Sequence, residues 1–472
     1  SQLPGPMRRL REDDLMEAVK KKGVGTNLTE GVIWKVLLTF AVPIILTNVI
    51  QQLYSMVDLI VAGKYIGAAG TIGVSTGGEL SDFLTPVATA LGSAGQIYIA
   101  QLVGARKDKE VKDTVGTLIS ICLIFSCAMA VAAILFCDGF LTLMNCPQEG
   151  FDQARAYLII TSLGFPFIFG YNAICGIVRG MGEPNRPLLF IIIAASVNVV
   201  TDILFVVVFR LEAAGTAIAT VLSQLGSCAA AFVFLYKKRE HFGFELKLRF
   251  LRIHGYAAKT IIRLAVPQIA RTLLVRFSML YVNASCNAYG AVFAQTNSIG
   301  NKIQKFLEVF MQGIDAAAAS VIGQNLGAKK QDRAEKTVWS TLAMCMIIAA
   351  CATLICLTIP KQMFSLFSNV PEVIDLGEVF LRIMIVHFFC SAFVGAFQCM
   401  ITGCGFVEMG FAIGILDGVV CKIGFSLLFL NVFGIGETSF WWGTAVSRLL
   451  PGCLCLWYFL SGKWRTRKML SD

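Results

Sequence analysis

The stretch from Gln101 to Glu110 reads QLVGARKDKE, and the stretch from Gln324 to Glu335 reads QNLGAKKQDRAE. Each leaves a long apolar run through a glutamine, passes Gly-Ala, and turns at once into basic and mixed charge. The step from Gln101 to Gln324 sets an offset that other landmarks share. RGMGEP around Gly180 and Gly182 corresponds to TGCGFVE around Gly403 and Gly405 at the same offset. FAVPIILTNVIQQLYSMVD from Phe40 corresponds to LAVPQIARTLLVRFSMLYV from Leu264, with Pro43 and Pro267 a single position farther apart. More loosely, GTAIATVLSQ at Gly215 matches GTAVSRLL at Gly443. Self-similarity at about half the chain length is the mark of a duplicated unit, and it precedes any reading of fold.

The composition says what kind of unit is duplicated. Of 472 residues, 56% are hydrophobic and only 15% charged, with mean hydropathy +0.71; soluble domains carry about a quarter of their residues charged. Three long runs contain no charge: Thr114 to Cys137, Ala213 to Tyr236 and Thr337 to Pro360. Each exceeds the roughly 20 residues that cross hydrocarbon as a helix. The remaining pattern predicts spans at 36–61, 83–103, 115–136, 157–178, 188–209, 215–236, 260–284, 293–322, 338–359, 376–401, 411–432 and 441–460. The expected fold is therefore an all-α integral membrane protein of twelve transmembrane helices. Because each repeat contributes an even number of spans, both copies face the same way, and the two six-helix bundles are related by a pseudo-twofold axis along the membrane normal. A cleft between twin bundles is the expected place for a substrate.

Lys and Arg set the orientation. With the N-terminus inside, the N-terminal segment, the loops Arg106 to Lys112, Lys237 to Lys259 and Lys329 to Lys336, and the tail with Lys463, Arg465, Arg467 and Lys468 share one face. The opposite loops hold little beyond Lys64, Arg210 and Lys361. The net charge of +10 is then topological, and no nucleic-acid partner is expected. Residues 1–32 read as a cytoplasmic N-terminal segment, 33–236 as the first bundle, 237–258 as a cytoplasmic linker, 259–461 as the second bundle and 462–472 as a cytoplasmic tail. Ser1 to Pro6, ahead of Met7, read as a cloning remnant, and Arg8 to Lys22 as either a short amphipathic helix or a solvated tail. No cleavable signal peptide is expected, because the first apolar run is long enough to stay in the bilayer. In the repeated stretch, Gly104 is expected to free the helix end while the basic residues hold it inside.

Ionisable groups within spans cost a few kcal/mol or more and mark functional sites by default. In the first half these are Asp58, in YSMVDLIVAG, and Asp202, in NVVTDILFVV. Asn198 shares a helical face with Asp202, and Thr220 of the sixth span adds a hydroxyl. Two carboxylates, an amide and a hydroxyl suit a hard cation or a proton. The plainer alternative leaves Asp58 hydrated near the outer interface and Asp202 held by neighbouring hydroxyls. At the repeat offset Asp58 becomes Tyr281, so one half carries an acid that the other lacks.

The second half is charged differently. Arg271 and Arg276 fall in span 7; Lys302, Lys305, Glu308, Gln312 and Asp315 form a stripe along span 8; Asp417 and Lys422 lie in span 11. Five positive groups face three negative ones, so full pairing is impossible unless other acids join. Either these charges lock the bundle as ion pairs, or they read substrate charge in a cavity lined by Arg271, Arg276, Tyr281, Lys302, Lys305, Glu308 and Asp417. In the second case the cavity either lies toward the first bundle's acids or receives a substrate with an anionic group. Three histidines, His241, His254 and His387, are too few and too scattered for a metal site, and His387 reads as a packed, hydrogen-bonded residue. No Walker-type loop is present, so ATP is not the expected energy source, and no constellation of nucleophile, base or metal points to an enzyme. Of sixteen cysteines, Cys137 and Cys146 alone are placed where a disulfide could form.

Taken together, AVPIILTNVIQQLYSMVDLIVAG, GQIYIAQLVGARKDKE, NVVTDILFVV, GTAIATVLS and VIGQNLGAKKQDRAEK resemble the multidrug and toxic compound extrusion (MATE) family over essentially the whole chain. That resemblance implies two six-helix bundles with a central cleft and an antiporter that exports amphipathic, mostly cationic organic compounds in exchange for Na+ or H+, without other cofactors. It carries the family's cation site onto Asp58, Asn198, Asp202 and Thr220. It also implies a monomer, multi-pass in a bacterial plasma membrane with both termini cytoplasmic. The chain departs from the pattern in span 7, where Arg271 and Arg276 stand in place of acids, and in span 10, which has none. The wider superfamily includes flippases with basic cavities, which leaves export of an anionic or lipid-linked substrate as the alternative.

Overall fold

A computed structural model describes residues 27–66, 68–144, 146–239 and 251–470; the side chains of 54–64, 68, 69, 71, 72, 79, 81 and 82 lie outside the description. The readings made for Ser1 to Pro6 and for Arg8 to Lys22, half of the linker and the Asp58 side chain therefore fall outside the described residues.

Twelve helical units are found among the described residues. They are α1 (Ile33–Tyr65), α2 (Ala68–Gly104), α3 (Asp108–Leu135), α4 (Phe151–Leu163 and Phe165–Gly180), α5 (Asn185–Val208) and α6 (Glu212–Lys237), followed by α7 (Gly255–Asn287), α8 (Ala291–Gly327), α9 (Gln331–Thr358), α10 (Pro371–Cys404), α11 (Val407–Asn431) and α12 (Ser439–Val446 and Leu449–Leu460). The duplication is visible in their lengths. α1 and α7 are both 33 residues, α2 and α8 both 37, α3 and α9 both 28. Nine units are apolar enough to span by themselves, and α4 qualifies as a pair bent by 42° about Gly164, where Pro166 enters the next helix and cannot continue the preceding ladder. α2 and α7 fall short of that apolar standard. Ser93 and Gln96 of α2 and Gln268, Arg271, Thr272 and Arg276 of α7 line the space between bundles, where aliphatic side chains are not required. Short helices Cys137–Leu143 and Pro360–Ser365 follow α3 and α9, again one repeat apart. Cys137 and Cys146 are both free thiols in one small apolar cluster.

The bundles exchange their leading helices. Leu37, Phe40 and Ile44 of α1 sit in the same apolar core as α8, α9 and α10, while Ala257, Ile261 and Leu264 of α7 sit in the core of α2, α3 and α4. The segments ahead of these helices dock in the same crossed fashion. Arg333 donates to the carbonyls of Glu30 and Gly31, each at 2.7 Å, and Lys330 to Thr29 O at 3.0 Å. On the other side, Ser120 donates to Leu251 O at 2.7 Å and Tyr256 to Asp113 at 2.8 Å. The division at 33–236 and 259–461 therefore follows chain order, while the packed cores cross it.

α2 and α8 meet at the pseudo-axis, and there the repeated stretch acquires its meaning. A Cβ on Gly104 would strike the Gln324 carbonyl oxygen, and one on Gly327 would strike that of Gln101. Gln101 Nε2 donates to Gly403 O at 2.5 Å, and Gln324 Nε2 donates to Gly180 O at 3.2 Å. The side-chain oxygens are used as well: Leu470 N–H donates to Gln101 and Leu28 N–H to Gln324, each at 2.9 Å. Gly104 thus permits a close crossing, and the left-handed residue that ends the helix is Arg106 (φ 57°), mirrored by Lys329 (φ 60°). Lys107 N–H bonds back to Leu102 O, and Lys330 N–H to Asn325 O, the six-to-one bond of a Schellman ending. RGMGEP and TGCGFVE end their helices likewise, with Gly182 (φ 85°) and Gly405 (φ 68°) in the left-handed position.

Candidate functional site

A cavity of about 740 Å³ lies between α2 of the first bundle and α7, α8, α10, α11 and α12 of the second. Its charged wall consists of Arg271, Arg276, Lys305 and Arg448 against Asp315 and Asp417, a formal surplus of two positive charges. Phe83, Met279, Leu280 and Phe406 supply apolar lining, so the site combines an apolar body with localised charge.

Each charge is placed by its helix. α11 widens into a π turn over Leu416–Cys421, which carries Asp417 near its start; such turns interrupt regular bonding and cluster at functional sites. Asp417 is 4% exposed and lies 3.9 Å from both Arg271 Nη2 and Arg448 Nε, within ion-pair reach but beyond a hydrogen bond. Arg448 makes its closer bonds behind the wall, to Glu308 at 3.0 Å and Ser391 at 2.7 Å. Glu308 also lies 2.5 Å from His387 Nε2, whose other nitrogen faces Thr444 O at 3.2 Å. His387 is thus packed and hydrogen-bonded. Asp315 accepts a long contact from Cys345 at 3.8 Å, and α10 comes so close to its carboxylate that a Cβ on Gly395 would strike it.

The structure divides the second-bundle residues expected from the sequence. Arg271, Arg276, Lys305 and Asp417 line the cavity; Glu308 stands behind it as the partner of Arg448 and His387; Tyr281 and Lys302 are exposed and do not line it. Pairing and cavity lining are therefore both present. Glu308 and Asp417 have cationic neighbours, while Arg276, Lys302 and Lys305 make no ion pair among the described residues. Arg448 is the residue that spacing arguments miss. Its signal is present in GTAVSRLL, an arginine inside the predicted twelfth span.

In the first bundle, Asn198 and Asp202 are buried on one face of α5, at 1% and 0% exposure. α5 also turns into a π segment, Ile203–Val208, immediately after Asp202. Thr220 is half-buried on α6, which packs against α5, and α1, which carries Asp58, packs on α5 as well. Neither amide atom of Asn198 has a hydrogen-bond partner among the described residues, although both are buried. Asn198, Asp202 and Thr220 do not line the cavity, whose charged wall belongs to the second bundle.

The MatE family model matches residues 43–225 and 267–428, one match in each repeat. The probable multidrug resistance protein YoeA of Bacillus subtilis (strain 168) is 24% identical over 373 residues, covering 78% of this chain and 81% of its own. The probable multidrug resistance protein NorM of Thermotoga maritima is 21% identical over 452 residues, covering 93% and 94%. Among solved structures, the outward-facing conformation of a multidrug resistance MATE family transporter superposes with a TM-score of 0.88 at 21% identity, covering 94% of this chain and 99% of that one. A superfamily transporter from Pyrococcus furiosus, described as having a binding pocket of reverse polarity that suggests a different function, superposes with a TM-score of 0.86 at 23% identity, covering 93% and 98%. The duplicated all-helical fold and the paired family matches lead to one assignment: the chain belongs to the MatE family, whose members are membrane transporters and not enzymes.

Proposed function

We propose that this transporter exports amphipathic organic compounds bearing an anionic group, by alternating access between its two bundles. The surplus of positive charge on the cavity wall carries this reading. Two like charges about 4 Å apart repel by roughly 4 kcal/mol at an effective dielectric near 20, so a purely cationic guest would meet a net penalty where an anion is attracted. Arginine presents a planar fork that grips carboxylate or phosphate with two bonds, and Arg276 has no competing partner among the described residues. Relatives named for multidrug resistance and export support an exporter of varied small molecules. The likeness to a transporter described as having a pocket of reverse polarity is consistent with a departure from cationic cargo.

The driving ion, Na+ or H+, binds at Asp58, Asn198, Asp202 and Thr220. Support comes from the burial of Asn198 and Asp202 and from the unmatched amide of Asn198. The face bearing Arg106, Lys107, Lys329 and Lys330 is cytoplasmic under the positive-inside rule, with both termini on that side of a bacterial plasma membrane. One chain supplies both bundles around the cavity and acts as a monomer, with no nucleic-acid partner and no cofactor beyond the transported ion.

The test is transport by proteoliposomes under an imposed Na+ or pH gradient, comparing a cationic dye with an anionic amphiphile. Wild type should favour the anionic probe, and Arg276→Ala should lose about tenfold on that probe alone, the worth of roughly 1.4 kcal/mol. Equal loss on both probes with a lowered unfolding temperature would return the basic cluster to a structural role. Faster movement of the dye by wild type would restore the cationic reading.

A further inference from the structure

A second, smaller recess of about 90 Å³ lies within the first bundle, lined by Thr47, Asn48, Gln51, Thr89, Asn172 and Arg179 among others. It shares Ser93 and Gln96 with the large cavity, so the two spaces adjoin through α2. Its lining repeats the cavity wall. At the repeat offset, or one position beyond it, Thr47 falls on Arg271, Asn48 on Thr272, Thr89 on Gln312, Gly92 on Asp315, Asn172 on Gly395 and Arg179 on Thr402, and every one of these counterparts lines the large cavity. The recess is thus the first bundle's own copy of the binding wall, seen across the pseudo-axis.

Its charge differs from that of its mate. Glycine stands where the second bundle has Asp315, threonine stands where it has Arg271, and Arg179 is the only charged residue in the described lining. Arg179 forms no ion pair and no side-chain hydrogen bond among the described residues, and its Nε is fully shielded from solvent. Its guanidinium lines the recess without an acceptor from the described residues, and a cation placed in this way favours an acceptor that arrives through the recess. The neighbouring groups show what that acceptor is not. Thr47 donates to Pro43 O at 2.7 Å and Asn172 donates to Ile168 O at 2.8 Å, so both are committed to their own helices. Asn48 and Ser93 have no side-chain bond among the described residues, which leaves an amide and a hydroxyl in the same lining as further donors. A cation, an amide and a hydroxyl without any carboxylate match a small oxyanion.

We propose that Arg179, with Asn48 and Ser93, forms a second anion subsite that takes a phosphate, phosphonate or carboxylate group at the other end of the substrate gripped by Arg271 and Arg276. The substrate class is then a two-headed anion with an apolar body between its heads. This rests on the basic-cavity reading above. A bivalent ligand gains only when its linker spans both sites, so the probes are an alkyl monophosphonate and α,ω-bisphosphonates of increasing linker length. Binding is measured by titration calorimetry on the full chain in detergent. Wild type should bind one bisphosphonate at least about tenfold more tightly than the monophosphonate, with an optimum in linker length. Arg179→Gln should erase that preference and leave monophosphonate affinity unchanged, whereas Arg276→Ala should weaken both probes. If Arg179→Gln does not elute as a single folded species, Arg179→Lys, which keeps the charge without the fork, should still lose most of the preference. A preference for bisphosphonate that survives in the Arg179 variant, or no preference in wild type, overturns the second subsite while leaving the cavity reading intact. Failure of wild type to bind even the monophosphonate removes the cavity reading and the subsite with it.

Discussion

In the first bundle α5 widens directly after Asp202, and in the second α11 widens around Asp417; each fifth helix thus presents one acid at a π turn. The surroundings diverge. Asp202 is fully buried with Asn198 one turn before it and lies outside the large cavity, whereas Asp417 faces two guanidinium groups at 3.9 Å on that cavity's wall. Their depths differ too. Asp202 ends the regular part of α5, which begins at Asn185, while Asp417 follows sooner after the start of α11 at Val407; at about 1.5 Å per residue the first acid sits roughly 10 Å farther from the basic face. The two widened turns are not repeat equivalents, since Ile203–Val208 carried across by the repeat offset falls ten residues beyond Leu416–Cys421, so each copy has placed its acid separately. The first copy secludes a buried amide and carboxylate, where the proposed ion site lies, and the second sets its acid among cations on the cavity wall, where the proposed substrate site lies.

The largest effect should come from breaking that contrast on the first side. Asp202→Asn is expected to abolish gradient-driven transport while the unfolding temperature stays near that of wild type. Removing an intramembrane carboxylate lifts an insertion cost of about 2.5–3.5 kcal/mol as it takes away the proposed ion ligand. Asp417→Asn should instead retain response to the gradient and shift preference further toward anionic probes. Parallel flux assays on the two variants decide it; if Asp417→Asn uncouples transport and Asp202→Asn does not, the roles assigned to the two bundles are reversed.

How far the sequence discloses this depends on whether a feature is local. α2 and α7 are too polar to declare themselves as spans, and they are recognisable because QLVGARKDKE and FAVPIILTNV each have a partner one repeat away. Asn198 and Asp202 are legible because they stand one helical turn apart and share a face. By contrast, Lys302 and Lys305 look alike in the α8 stripe, yet only Lys305 reaches the cavity, since that depends on how α8 is rotated against α7. Arg448 escapes notice because its acids, Glu308 and Asp417, lie on other helices, outside any local pattern around it. The crossed entry of α1 and α7 is invisible in either repeat alone, because each copy completes the core of the other.

A smaller loss is expected from Glu308→Gln, and it should be of another kind. Glu308 is 7% exposed and joins Arg448, Ser391 and His387 into one network. Removing one member of a buried charge pair costs about 3–5 kcal/mol, and because Arg448 opens partly onto the cavity the lower figure applies. The variant should therefore unfold at a distinctly lower temperature in detergent and, when it is reconstituted at a permissive temperature, still couple transport to the gradient. A fully stable Glu308→Gln that no longer couples would mean that the second bundle carries ions as well, and the division of labour between the copies would fail.

The smallest effect tests where the two copies are most alike. Gln101 and Gln324 are each buried, each donates to a glycine carbonyl of the opposite bundle, and each accepts from a terminal segment, Leu470 or Leu28. Replacing either by methionine keeps the shape and removes one donor and one acceptor, leaving a carbonyl and an N–H unmatched at a cost of about 1–3 kcal/mol. Since the crossing at Gly104 and Gly327 is reciprocal, Gln101→Met and Gln324→Met should lower thermal stability by equal amounts, within about 0.5 kcal/mol. The double variant should lose less than the sum of the two, because the pair share one interface and the second loss falls on a crossing already loosened. Truncation after Gly462 separates the two sides. It removes the donor to Gln101 and spares Leu28, so it should depress Gln101→Met little further while adding its full cost to Gln324→Met. If truncation costs both variants alike, the C-terminal segment acts through general packing, as buried Trp464 would allow, and the glutamine at the repeated edge binds the bundles without help from the chain ends.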